Sequence, residues 1–174
     1  MGLNSIFTNI KNNINKAESL SEKIINYEGV KYENKNQWRC KYYNISMSSA
    51  PTLATISDKT PTKTQLRSDT EKSQNWAWGD YYVGSRECWV YCTEDHNLST
   101  YFWTDDEGRM YLNDTTSFGP STSCRNYNVT IPFKKGWNHI QILFREGDGG
   151  DGGFLGTNLS QQSFIDEMYA DRII

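Results

Sequence analysis

Acidic residues cluster in two short stretches of the chain. Asp105 and Asp106 lie in Trp103-Thr-Asp-Asp-Glu-Gly108, while Glu146, Asp148 and Asp151 alternate with glycines in Glu146-Gly-Asp-Gly-Gly-Asp-Gly-Gly153. Carboxylates are hard oxygen donors of the kind calcium takes, about six to eight of them at roughly 2.3–2.6 Å. Aromatic residues accompany the stretches, with Trp76, Trp78, Trp103 and Tyr111 as candidate faces for a sugar ring. An ion with open positions can accept vicinal sugar hydroxyls while such a face packs on the apolar side of the ring. The chemistry this set could perform is calcium-assisted carbohydrate binding.

Geometry sets a condition on the paired aspartates. Neighbouring residues in a regular strand point to opposite faces, so Asp105 and Asp106 reach one ion only through a sharp turn or a distorted peptide. A cis non-proline bond would do it, at about 3–4 kcal/mol. The competing reading is a plain hairpin turn, with acidic residues at the bend and Gly108 where positive φ is needed. The glycine-rich loop likewise reads either as a cation wrap or as a flexible tip.

Other chemistries find less support. His139 has no second histidine near it and no serine or cysteine nucleophile in a recognisable arrangement. No phosphate loop or hydrolase metal spacing occurs, and the acidic residues sit in loop contexts better suited to a cation than to glycoside hydrolysis. A non-catalytic protein is expected. Cys88 and Cys92 fall on one face of a strand but too far apart to bond each other, and the spacing with Cys40 and Cys124 is poor for zinc. The four read as small buried hydrophobes, with a Cys40–Cys124 bridge open to an oxidising exterior.

The elements that must position these residues follow from bulk properties and pattern. With 174 residues there is room for one domain and an appendage. A net charge of -3 and a pI near 5.4 offer no basic field for nucleic acid. No apolar run approaches the ~20 residues that span a bilayer, and no signal peptide is recognisable, so membrane insertion and export by the general route are not expected. Aromatics at 14% against 36% hydrophobic residues suit a thin core with an aromatic-rich surface, as does a mean hydropathy of -0.75.

Residues 1–28 carry Leu3, Ile6, Ile10, Asn13, Ala17, Leu20 and Ile24 in steps of three and four, the stripe of a helix with a coiled-coil seam. It reads as an oligomerisation or docking helix, making a homo-oligomer; the alternative is a helix folded onto its own domain. From Val30 the pattern becomes β. Short segments at 37–45, 80–83, 87–91, 99–103, 109–112, 127–131 and 138–144 are rich in β-branched and aromatic residues and are separated by turn formers. They predict a mainly β protein, an antiparallel sandwich of jelly-roll type over 29–158, preceded by the helix and followed by a tail at 159–174. Residues 46–73 read as an irregular excursion over one side. Ile140, Ile142 and Phe144 should face the core, and Trp137 either packs at the start of that strand or serves as a sugar platform.

Between Trp76 and Phe154 the order of pieces resembles the protective-antigen-fourteen domain, a β-sandwich often found as a carbohydrate-binding module. The resemblance is carried by Tyr101–Trp103, Asp105-Asp106, Met110 and Leu112, then Gly136-Trp137, Ile140 and Ile142. Glu107, Asn113-Asp114 and Glu146 depart from it. The resemblance implies a calcium ion held by the paired aspartates and the later loop. Together these readings lead to an expectation: a glycan-binding module of a phage tail or baseplate, made in the host cytoplasm and acting outside the cell on cell-surface carbohydrate. A structural decoration or adaptor protein of the same assembly, without sugar binding, is the alternative.

Overall fold

The computed structural model describes residues 29–72, 78–122 and 124–174. The expected helix at 1–28 and Trp76 lie outside the described residues. The chain divides into two compact units, Asn34–Asp171 and Met1–Glu33 with Arg172–Ile174. Among described residues the second holds only the beginning of β1 (Lys31–Lys35) and the end of β11 (Ile165–Ile173).

The larger unit contains two antiparallel sheets. Its remaining strands are β2 (Gln37–Tyr43), β3 (Lys63–Ser68), β4 (Tyr82–Cys92), β5 (His96–Asp105), β6 (Glu107–Leu112), β7 (Thr116–Ser121), β8 (Arg125–Phe133), β9 (Gly136–Glu146) and β10 (Gly152–Leu155). The larger sheet runs β11-β4-β9-β6-β7, with β2 also on β4 and β3 on β2; the smaller runs β10-β5-β8. One edge of β4 is divided: β2 pairs along Val83–Glu87 and β11 along Trp89–Cys92. The expected mainly β sandwich is therefore present.

Alternation builds the core. Cys88, Val90 and Cys92, Met110 and Leu112, and Ile140 and Ile142 project from the larger sheet onto Leu98, Phe102, Val129, Ile131, Phe133 and Leu155 from the smaller. Side chains at every second strand position share a face, which is why a period of two in sequence becomes an inter-sheet layer. Each large apolar side chain so buried contributes about 1.5–3 kcal/mol.

Several elements differ from the sequence reading. The segments at 80–83 and 87–91 form one strand through Gly84, because the Phe144 ring lies against that glycine; a Cβ there would stand 2.2 Å from a ring carbon. The excursion at 46–73 contains a one-turn helix, Leu53–Ile56, and β3. Residues 159–174, set apart as a tail, hold a 3-10 turn and β11, whose Ile165, Met168 and Ala170 are buried. A register irregularity between Ile165 and Glu167 interrupts its alternation and hides it from pattern reading. All four cysteines are free thiols; Cys40, Cys88 and Cys92 are buried, whereas Cys124 is exposed.

Candidate functional site

The paired aspartates stand at a corner between sheets. β5 belongs to the smaller sheet and β6 to the larger, so the chain changes sheets at Asp105-Asp106 and the hairpin reading fails there. The chain returns to the smaller sheet through residues 147–151, between β9 and β10. Register places the two corners side by side, with Glu107 opposite Arg145 and Gly152 opposite Asp105. Tyr82, the first residue of β4, pairs with Glu146, and Tyr81 N–H donates to Gly147 O at 2.8 Å. Thr104 lies opposite Arg125, which brings Cys124 to the same end. Thus Asp80–Tyr82, Asp105-Asp106, Cys124 and residues 146–151 share one rim of the sandwich.

Hydrogen bonds hold part of this rim. The Asp105–Asp106 peptide is cis. Asp106 N donates to Arg145 O at 2.7 Å, and Asp106 Oδ2 accepts from Arg145 Nη1 at 3.0 Å and from Gly147 N at 3.1 Å. Asp151, only 2% exposed, accepts on Oδ2 from the Tyr82 hydroxyl at 2.6 Å and from Trp78 N at 3.4 Å. Tyr81 and Cys124, with φ of 57° and 54°, occupy the left-handed region that non-glycine residues seldom adopt.

Glu146 has no such partners. It is 2% exposed, and neither Oε atom has a hydrogen-bond partner among the described residues. Burial raises its pKa to about 8, reinforced by the charges of Asp105, Asp106, Asp151 and Asp80. Burial, then the charges of Asp106 and Asp151, also raise Asp105, while the neighbouring Cys124 thiol acts to lower it. Buried carboxylates without donors are costly unless a proton or a cation neutralises them. Carboxylate oxygens are donors that a hard divalent ion takes, but among the described residues no three His, Cys, Asp or Glu side chains converge on one point. An ion held here would require side-chain rotation at this rim.

Gly147 shows how closely the rim is packed. A Cβ there would lie 2.7 Å from Asp106 Oδ2, the movable end of a side chain. Gly147→Ala should displace that carboxylate and, if a divalent ion binds at this rim, weaken its binding about tenfold, while changing stability by less than about 1 kcal/mol. Isothermal titration beside urea unfolding checks both; unchanged ion affinity would separate Asp106 from the site.

The sequence-derived residues divide accordingly. Asp105, Asp106, Glu146 and Asp151 come together, while Asp148 is exposed on the loop. Asp80 takes a place among the charges acting on Glu146 that the sequence did not suggest. Trp103 is 5% exposed and stacked on Phe154 at 5.3 Å, and Tyr111 is 7% exposed, so neither presents a free face. Trp78 is half-buried, edge-on to Tyr42 and Tyr82. The open aromatic on the rim is Tyr81, 58% exposed, which the sequence reading passed over as part of a strand. A separate shallow depression on β5 and β8, lined by Ser99, Thr100, Tyr101, Asn128, Val129 and Thr130, carries no carboxylate.

No protein-family model matches the chain, and no curated protein matches it. Among solved structures, a β-glucosidase from Kluyveromyces marxianus in complex with glucose is similar over 68% of this chain and 15% of its own, at 15% identity and a TM-score of 0.50. Its selenomethionine form matches over 68% and 16%, at 14% identity and 0.49. An anti-sigma factor domain-containing protein matches over 76% and 46%, at 18% identity and 0.46. The chain thus spans a small part of the β-glucosidase, and the similarity concerns the fold.

Proposed function

We propose that the chain is a non-catalytic glycan-binding module that takes carbohydrate hydroxyls through a calcium ion at the rim of its sandwich. The observation that carries this reading is the buried Glu146 carboxylate, both oxygens without donors among the described residues, beside Asp105, Asp106 and Asp151. These four side chains would hold the ion. Calcium would supply open coordination positions to vicinal hydroxyls. Tyr81, beside the cluster and exposed, would pack against the sugar ring in place of Trp103 and Tyr111. A general-acid role for Glu146 does not suit its burial, since a proton donor must reach the glycosidic oxygen. Homo-oligomerisation or docking rests on the sequence pattern of residues 1–28, and attachment to a virion tail or baseplate on the small size, the helix-plus-sandwich plan and the Asn-, Lys- and Tyr-rich composition.

Calcium at about 100 times its dissociation constant should add about 2.7 kcal/mol of stability, a rise of roughly 5–10 °C in Tm for a chain of this size. Asp105→Ala should abolish the rise and, with it, retention on immobilised glycans; Tyr81→Ala should lose retention but keep the rise. Retention that persists in chelator would sink the calcium mechanism. A calcium-insensitive Tm together with silence on a glycan array would instead favour a structural or adaptor role through protein contacts.

A further inference from the structure

The outer face of the smaller sheet differs in kind from the acidic rim. Side chains at alternate strand positions share a face, and the register sets Asn97 opposite Pro132, Ser99 opposite Thr130 and Tyr101 opposite Asn128. None of these residues is charged, in a chain with 22% charged residues. The last two pairs border the shallow depression on β5 and β8, about 520 Å³ in volume, within the ~300–1,000 Å³ of small-ligand sites. Thr100 and Val129, paired between them, form its floor. Tyr101 is fixed in place. A Cβ on Gly156 would stand 2.4 Å from its ring, so a glycine there lets the ring lie against the chain. Phe154 meets the ring edge-on at 6.4 Å, Tyr101 O accepts from Gly156 N at 2.8 Å, and the Thr157 hydroxyl donates to Thr100 Oγ1 at 2.7 Å. The half-exposed remainder of the ring borders the depression, with Ser99, Asn128 and Thr130 exposed around it.

We infer that this depression is a second carbohydrate site, independent of calcium, that takes a neutral, extended β-linked glucan chain. A fixed tyrosine ring offers an apolar surface to a sugar ring, and the amide and hydroxyls at its border can both donate to and accept from sugar hydroxyls. The absence of charge selects against other ligands: a phosphate or uronate finds no cation here, and a basic peptide no carboxylate. An open site without walls suits an extended chain with flat ring faces, and a single aromatic with few polar partners sets the dissociation constant near ~1 mM. Tyr101 and Asp105 stand about 13 Å apart along β5 at ~3.3 Å per residue, so the depression is separate from the rim and the inference does not rest on an ion there. A complex this weak dissociates during washing. Retention on immobilised glycans therefore reports the rim, while the depression adds avidity to a longer chain already held.

Nuclear magnetic resonance of the isotope-labelled full chain reads both places at once, with cellotetraose as the probe, first in chelator and then in calcium. In chelator the amide resonances of Ser99 to Tyr101 and Asn128 to Thr130 should shift saturably at millimolar sugar, while those of Tyr81, Asp105 and Glu146 stay in place. Calcium should leave the constant at the depression unchanged. Tyr101→Ala should require at least about tenfold more sugar. Thr130→Arg tests the same site without touching the packing of Tyr101 on Phe154 and Gly156: Thr130 is exposed, and a long side chain there fills the depression and should abolish the shifts. No shift at millimolar sugar, shifts confined to other residues, or shifts untouched by Thr130→Arg would overturn the inference. Shifts at the depression in a protein whose rim ignores calcium and sugar would leave the inference standing and remove the calcium-dependent glycan reading. Calcium-dependent shifts at the rim with a silent depression would do the reverse.

Discussion

Without divalent cations the protein should lose stability as pH rises from about 5 to about 8, and Glu146→Gln should remove most of that loss. Glu146 binds its proton up to a pH of about 8 in the folded chain, against 4.5 for an ordinary glutamate. Between those values the folded state holds more protons than the unfolded one, so raising the pH favours unfolding. Asp105 is raised as well and acts in the same direction. Each pH unit of the window is worth up to about 1.4 kcal/mol, and solvent reaching the rim reduces the sum to about 2–3 kcal/mol. That is a fall of roughly 5–10 °C in Tm. Asp171, held low by its hydrogen bond to Arg39, gives the opposite slope, with stability lost only as pH falls through its own lower range. The two effects therefore separate along the pH axis. Saturating calcium should flatten the loss, because an ion replaces the proton as counter-charge, whereas it should leave Glu146→Gln nearly unchanged. Melting curves from pH 5 to 9 in chelator decide the matter: a wild-type profile as flat as that of Glu146→Gln would mean that the carboxylate is neutralised by something other than a proton.

The sandwich was legible because its evidence is local. Cys88-Trp-Val-Tyr-Cys92 and Ile140-Gln-Ile carry their period of two in consecutive residues, and both lie in strands that bury the expected faces. The acidic half of the site was legible for the same reason, since Asp105-Asp106 and Glu146 to Asp151 are compositional runs. What stayed hidden depends on register between distant strands. Nothing in Trp78-Gly-Asp-Tyr-Tyr82 says that Asp80 and Tyr81 share a rim with Glu146, which follows from Tyr82 pairing with Glu146. Nor does Ser121-Thr-Ser-Cys124 show that Cys124 lies at the same end of the sandwich as Asp105, which follows from Thr104 pairing with Arg125. The aromatic candidates mislead by type: Trp103 sits beside Asp105 in sequence, yet its ring turns to Phe154 of the adjacent β10. β10 itself begins with two glycines, which read as loop until Phe144 is seen packing close to Gly153. Long-range pairing, and not residue type, decides these positions.

Arg86→Met should destabilise the domain by about 3–5 kcal/mol, the largest stability effect expected from a single polar residue here. Arg86 is fully buried in β4, over the Trp38 ring at 5.0 Å. Its Nη1 donates to Glu71 O at 3.0 Å and Gly153 O at 3.4 Å, and its Nη2 to Ser68 O at 3.1 Å. The guanidinium thus joins the segment after β3 to β10, which carries the second corner of the site. Trp38 extends the same network: Nε1 donates to Asp69 at 2.8 Å, and Asp69 accepts from the Ser160 backbone and hydroxyl at 2.8 and 2.9 Å. Methionine fills a similar volume but removes a donor from three carbonyls, of which Ser68 O keeps the Glu71 N–H at 3.1 Å; a buried carbonyl left with none costs about 1–3 kcal/mol. Lysine keeps the charge, yet one ammonium lacks the planar fork that reaches carbonyls on two separate segments, so Arg86→Lys should recover less than half of the loss. Because Gly153 adjoins the residues that bring Asp151 to Asp105, loosening β10 should also weaken calcium binding in both variants. Urea unfolding measures the first effect and calcium titration the second. A Met variant within about 1 kcal/mol of wild type would show that water, and not Arg86, satisfies those carbonyls.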